Sequence, residues 1–219
     1  MSDEAIQKGM ELAAELREIA QALTDREVDA ESAGAALELA RAMRSQLQGE
    51  LRPRWYELAE RPAFGSTTLS PFDTLSPVRG LLNPVAPPLR LEFGERRDGT
   101  RCVVGHARLP QVYEGPPHGV HGGIVAAMFD EILGSAQGLA PPPGVTAKLD
   151  VLYRHLTPID EDLRFEAWLT SDRGRRVYAE ATCHAGDTLT ARATALFMRV
   201  DFKAVEDRMK AARAEGEGT

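Results

Sequence analysis

Three kinds of residue meet between Glu114 and Glu131, in the stretch EGPPHGVHGGIVAAMFDE: histidine and paired glycines in a tight turn, then an apolar run, then two adjacent acids. Gly122 and Gly123 fall where a loop becomes a helix. The first N–H groups of a helix have no internal acceptor, so they point outward with the positive end of the helix dipole behind them. Glycine lets a ligand approach that backbone closely. Such an arrangement suits a carbonyl oxygen that gains negative charge during attack, where loss of one donor costs on the order of 100- to 1000-fold in rate. It suits a phosphate equally, and glycines needed only to turn the chain look the same in sequence.

Asp130 stands eight residues after Gly122, inside an otherwise apolar helix, where a carboxylate is costly unless it faces a cleft or a partner. An ionised aspartate in a cleft can take a proton from water or attack a carbonyl itself. Glu131, about 100° further round the helix, reads as a solvated neighbour, with a working role as the alternative. At ~1.5 Å rise per residue, Asp130 lies roughly 12 Å along the axis from Gly122, whereas hydrogen-bond reach is about 3 Å. If both serve one reacting carbon, they come from different protomers whose helices run antiparallel across a two-fold axis. A homo-oligomer, a dimer or a dimer of dimers, is therefore expected.

The elements that would position these groups are legible from periodicity. Leu12, Leu16, Ile19 and Leu23, then Ala33, Ala36, Ala40, Met43 and Leu47, recur at helical steps. They predict two amphipathic helices, with cap residues Thr24, Asp25 and Asp29 between them suggesting a helical hairpin. Proline and glycine crowd the span from Phe64 to Pro88, which reads as an ordered connector. From Leu89 the pattern alternates, with a turn at Asp98–Gly99 and strands over Leu89–Phe93 and Thr100–Leu109. An apolar helix is expected over Ile124–Leu139, then strands over Val145–Arg154, Leu163–Thr170, Arg175–Cys183 and Thr188–Val200. Turns at Arg173–Gly174 and Gly186–Asp187 imply antiparallel pairing. The fold class that follows is α+β, an antiparallel sheet wrapped around one buried helix. The chain divides into an N-terminal helical extension (1–60), a proline-rich connector (61–88), the sheet-and-helix domain (89–201) and a charged tail (202–219).

Composition excludes several classes. A net charge of −7 and pI near 5.3 argue against a nucleic-acid reader. No apolar run reaches the ~20 residues of a membrane span, and the start lacks signal-peptide character, so a cytoplasmic location is expected. Cys102 and Cys183 lack metal or redox spacing and read as strand thiols. His118 and His121 stand three apart, but no acid or cysteine completes a ligand set, so no metal and no cofactor is expected. The nearest approach to a serine-hydrolase elbow, GSAQG at 134–138, puts Ser135 in the wrong place.

The run HGGIVAAMFDEILG, with His121, Gly122 and Gly123 and then Asp130, resembles the hotdog-fold acyl-CoA thioesterases of the PaaI-like group, and VTAKLDVLYRHLTP is similar to the strand after their helix. The resemblance covers about Leu89 to Asp201. It implies a hotdog fold, dimers with sites between protomers, and hydrolysis of an acyl-CoA to free acid and CoA. On it, Asp130 is general base or nucleophile, the Gly122 N–H the oxyanion donor, Thr146 a water-orienting hydroxyl, and His121 a brace of the turn. Gly123 and His118 are expected near the substrate. Some members carry Asn six residues before the histidine; here Gly115 stands there, so side-chain help from that loop is absent or comes from elsewhere, His118 being a candidate. Coenzyme A carries phosphates, so Arg173, Arg175 and Arg176 at one strand turn are expected contacts, with Lys148 and Arg154 as further candidates. Hotdog dehydratases resemble a pattern with His soon after Asp, whereas the next histidine here is His155. The alternative is a hotdog protein that binds acyl-CoA without hydrolysing it.

Overall fold

The structure, a computed structural model, describes residues 2–52, 71–142 and 144–200. The C-terminal tail and part of the connector lie outside the described residues. Two N-terminal helices come first, α1 (Asp3–Asp25) and α2 (Ala30–Gln46), followed by a short α3 (Pro71–Leu75). Next are β1 (Arg90–Glu95), β2 (Arg101–Arg108), a 3-10 turn (Gln111–Tyr113), α4 (Gly122–Gln137), β3 (Gly144–Tyr153), β4 (Asp162–Arg173), β5 (Arg176–Ala185) and β6 (Thr188–Arg199). All six strands join one sheet in the order β1-β2-β4-β5-β6-β3, every neighbouring pair antiparallel. The glycine turns sit where the sequence puts them: Gly99, Gly174 and Gly186 hold φ of +80°, +62° and +53°, conformations that favour glycine.

The sheet curls around α4. Val125, Met128, Phe129, Ile132, Leu133 and Ala136 of that helix are buried, and Phe129 meets Phe165 edge-on, ring centres 5.4 Å apart. Opposite them, β5 and β6 present Ala179, Ala181, Ala191, Ala193 and Ala195, all buried. These small side chains let the helix approach the sheet closely. Gly105 does the same on β2, where an added Cβ would stand 3.1 Å from side chains of Ile132, Leu89 and Leu91. Burying one large apolar side chain is worth about 1.5–3 kcal/mol, so this layer supplies the domain's cohesion and fixes α4.

The N-terminal helices form as their periodicity requires. Ser2 caps α1 through Ala5 N–H, and Asp29 caps α2 through Ser32 N–H at 2.8 Å. Only α1 is docked. It buries Ala13 and packs against the 3-10 turn, while Arg17 donates to Asn83 O at 3.0 Å. The stripe of α2 is not folded back on α1: no residue of α2 is buried, and Leu37, Leu39 and Leu47 are exposed.

The described connector packs on α4, and here the reading of Glu131 needs correction. Glu131 is not a solvated neighbour. Its carboxylate accepts from Arg79 Nε at 2.5 Å and from Ser76 Oγ at 2.9 Å, Arg79 also pairs with Asp73, and the side chains of Arg79 and Glu131 are 9% and 16% exposed. A desolvated acid needs such partners, and the connector supplies them.

Candidate active site

The loop from Glu114 to Val120 is closed on itself by Gly115 N–H to Gly119 O at 2.9 Å and Gly119 N–H to Pro116 O at 2.8 Å. Its product is the placement of His121. That residue caps α4: its Nδ1 accepts from Gly123 N–H at 3.0 Å, and its own N–H donates to Tyr113 O at 2.8 Å. The helix consequently starts at Gly122, two residues before the expected Ile124. Gly115 has a steric reason to be glycine, since an added Cβ would lie 2.7 Å from His121 Cα. A side chain there would force the capping histidine to shift.

Of the two glycine amides, one is occupied. Gly123 N–H is taken by His121, so its part in any site is the absence of a side chain. The Gly122 N–H has no acceptor among the described residues. His118 lies in the left-handed region with φ +61°; its N–H donates to Glu114 Oε1 at 2.6 Å and its carbonyl accepts from Ile159 N–H at 3.2 Å. Among the described residues no cluster of His, Cys, Asp or Glu could hold a metal.

Asp130, half-buried on α4, accepts a hydrogen bond from Thr146 Oγ1 at 2.8 Å. A bulge makes that contact possible. On β3, Leu149, Val151 and Tyr153 face inward opposite Ala195, Ala193 and Ala191, and regular alternation would turn Thr146 outward. The register shifts between Thr146 and Lys148, so Ala147 is extra and Thr146 pairs with buried Phe197, on the helix side. Bulges re-aim side chains in this way. Gln137 then ties the end of α4 to the start of β3, donating to Gly144 O and accepting from Gly144 N–H.

Among the described residues none of the basic candidates forms an ion pair with Asp130, whose side chain meets Thr146. Arg173 and Arg175 flank the β4–β5 turn, and Arg176 pairs with Met198 on the outer face of the sheet. Lys148 is also on the outer face, paired with Asp150 at 2.7 Å. Arg199 fastens that turn to the loop before β3, bonding Gly174 O, Ala140 O and Pro142 O as well as Asp172. Arg199 holds the Asp172 carboxyl below the usual aspartate range through this hydrogen bond. Sequence reasoning missed Tyr153, whose hydroxyl donates to Gly122 O at 2.6 Å. Its odd spacing from Thr146 hid it, since without the bulge the two would face opposite sides.

A six-stranded antiparallel sheet curled about one buried helix defines the hotdog class. No family model matches the chain. It is 28% identical over 148 residues to human acyl-coenzyme A thioesterase THEM5, a match covering 58% of this chain and 60% of that protein. The chain thus spans less than two thirds of that relative's length. A crystal structure of a thioesterase superfamily protein superposes with a TM-score of 0.70 at 26% identity, covering 87% of this chain and 94% of the other. In fold and in sequence the chain is similar to hotdog proteins of the thioesterase superfamily. Among the described residues no helix is long and apolar enough to cross a membrane.

Proposed function

We propose that the protein is an acyl-CoA thioesterase, cleaving the thioester to a free carboxylic acid and CoA at sites shared between two protomers. The observation that carries this reading is the Thr146 hydroxyl on Asp130 Oδ1, which orients the carboxylate and leaves its second oxygen for water. Asp130 accepts a proton from that water as the oxygen attacks the thioester carbon. The carbonyl oxygen becomes an oxyanion and takes a hydrogen bond from the N–H of Gly122 of the partner subunit. Collapse breaks the C–S bond, the proton held by Asp130 passes to the departing sulfur, and acid and CoA leave. Direct attack by Asp130 on the carbonyl is the competing first step.

If both groups serve one reacting carbon, a partner follows, since Gly122 and Asp130 stand roughly 12 Å apart on one helix. Support comes from β3, a sheet edge that among the described strands is hydrogen-bonded only to β6 and that carries exposed Val145, Leu152 and Tyr153. An edge of this kind is a template for pairing with another chain. Arg173, Arg175 and Arg176 at the β4–β5 turn are assigned to the CoA phosphates.

The test is release of CoA from a panel of acyl-CoAs, read with a thiol-reactive dye, for the wild type beside Asp130→Ala. A rate at least about 1000-fold above the variant on one acyl class is expected. Equal rates, with micromolar acyl-CoA binding retained, would leave a binding protein instead.

A further inference from the structure

We propose that Tyr153 is a positioning residue for the oxyanion amide, holding the peptide next to the Gly122 donor at a fixed tilt. The inference rests on the thioesterase reading, but the geometry behind it stands alone. Two glycines in succession have the widest backbone freedom available, and fixing one residue costs about 1–2 kcal/mol. A donor mounted on such a hinge is useful only if something stops it rocking. The planar peptide joining Gly122 to Gly123 is held at both ends: its carbonyl accepts from Tyr153 Oη at 2.6 Å, and its N–H donates to His121 Nδ1 at 3.0 Å. The preceding peptide is held at its carbonyl, where His121 O accepts from Ile124 and Val125 N–H at 2.9 and 3.2 Å. What this leaves unheld is the Gly122 N–H, the group that the substrate oxygen needs.

Tyr153 suits the task. It is the last residue of β3 and pairs with Ala191, so a strand fixed in the sheet anchors the ring. The ring lies beside Gly122, where an added Cβ would stand 3.4 Å from it. Burial raises the phenol above its ordinary value of 10.0, so the hydroxyl stays a donor across neutral pH. The same strand carries Thr146, paired with Asp130, so β3 braces both halves of the chemistry at its two ends.

The experiment compares wild type, Tyr153→Phe and Tyr153→Leu. The phenylalanine variant keeps the ring and loses only the hydroxyl. It is expected to lose about 10- to 100-fold in kcat, with KM and the Kd of a non-hydrolysable thioether analogue within twofold of wild type and an unchanged Tm. The readout independent of activity is amide NMR: the Gly122 and Gly123 resonances should shift, and Gly123 should exchange its proton faster, in Tyr153→Phe. A phenylalanine variant with wild-type kcat and unmoved glycine amides overturns the proposal, as does a loss seen only in the leucine variant, which would assign the effect to ring packing. If the wild type cleaves no acyl-CoA, the thioesterase reading fails, and the amide shifts alone decide whether the hydroxyl sets the turn.

Discussion

Gly122 occupies the first helical position of α4, with His121 before it at φ −57°, ψ 129°. Proline is favoured at that position and requires an extended residue before it, and His121 already is one. Gly122→Pro therefore deletes the N–H while leaving the helix start intact. On the proposed mechanism it lowers kcat by about 100- to 1000-fold, with a Tm near wild type by thermal melt; undiminished turnover would remove Gly122 from the oxyanion role. Thr146→Val keeps shape and removes the hydroxyl. It should cost less, about 10-fold in kcat, because Asp130 remains, and a steady-state comparison measures it. The adjacent acids at 130 and 131 have separate partners: one meets Thr146 in the direction of the proposed chemistry, and the other meets Ser76 and Arg79 of the connector.

At the scale of elements, Ser76 and Arg79 tie the described part of that connector to α4 through Glu131. Removing the charge of Glu131 leaves Arg79 in a poorly solvated site with Asp73 as its remaining acidic partner, so Glu131→Gln is expected to cost about 1.5–3 kcal/mol, a fall of about 3–12 °C in Tm for a chain of this size. Adding Arg79→Met should cost less than the two single changes summed, because they share one network. The strands make a second prediction, concerning thiols. Cys102 and Cys183 are buried, and burial pushes the Cys183 thiol from its ordinary 9.0 up to about 12. A folded pKa above the unfolded one means the associated stability is fully present below about pH 9 and falls away as pH climbs towards 12. Both cysteines should resist a thiol-reactive dye at pH 8 in the native protein and react fully in denaturant. Fast labelling of the native protein would contradict the burial.

For the molecule as a whole, the reading makes one strong demand. If each site takes Asp130 from one protomer and Gly122 from the other, mixing inactive Asp130→Ala with inactive Gly122→Pro and allowing subunits to exchange creates hybrids with one intact site and one doubly altered site. Activity should recover to about a quarter of wild type for random exchange in a dimer. No recovery, with exchange verified by mass, would place both groups within one chain. Sedimentation of the wild type should show a dimer or larger. On the same scale α1 reaches the site indirectly, through the 3-10 turn whose Tyr113 O receives His121 N–H.

The sequence by itself determined the elements and singled out the candidate pair of Gly122 and Asp130. Period-two and period-3.6 patterns are local, so six strands, the turns at Gly99, Gly174 and Gly186, and the buried helix were all legible, as were Asp130 and its spacing from Gly122; the resemblance suggested a brace at His121, and the structure shows that residue capping α4. Only the tertiary structure decided the rest, because it depends on register and on what lies across a gap in sequence. A one-residue bulge at Ala147 turns Thr146 towards Asp130 and brings it to the same side as Tyr153, and alternation alone gives no sign of it. Glu131 differs from a solvated acid only because residues more than fifty positions earlier fold back onto it. α2 carries a helical stripe as regular as that of α1, yet periodicity records only that a face is apolar, not whether anything in the chain covers it.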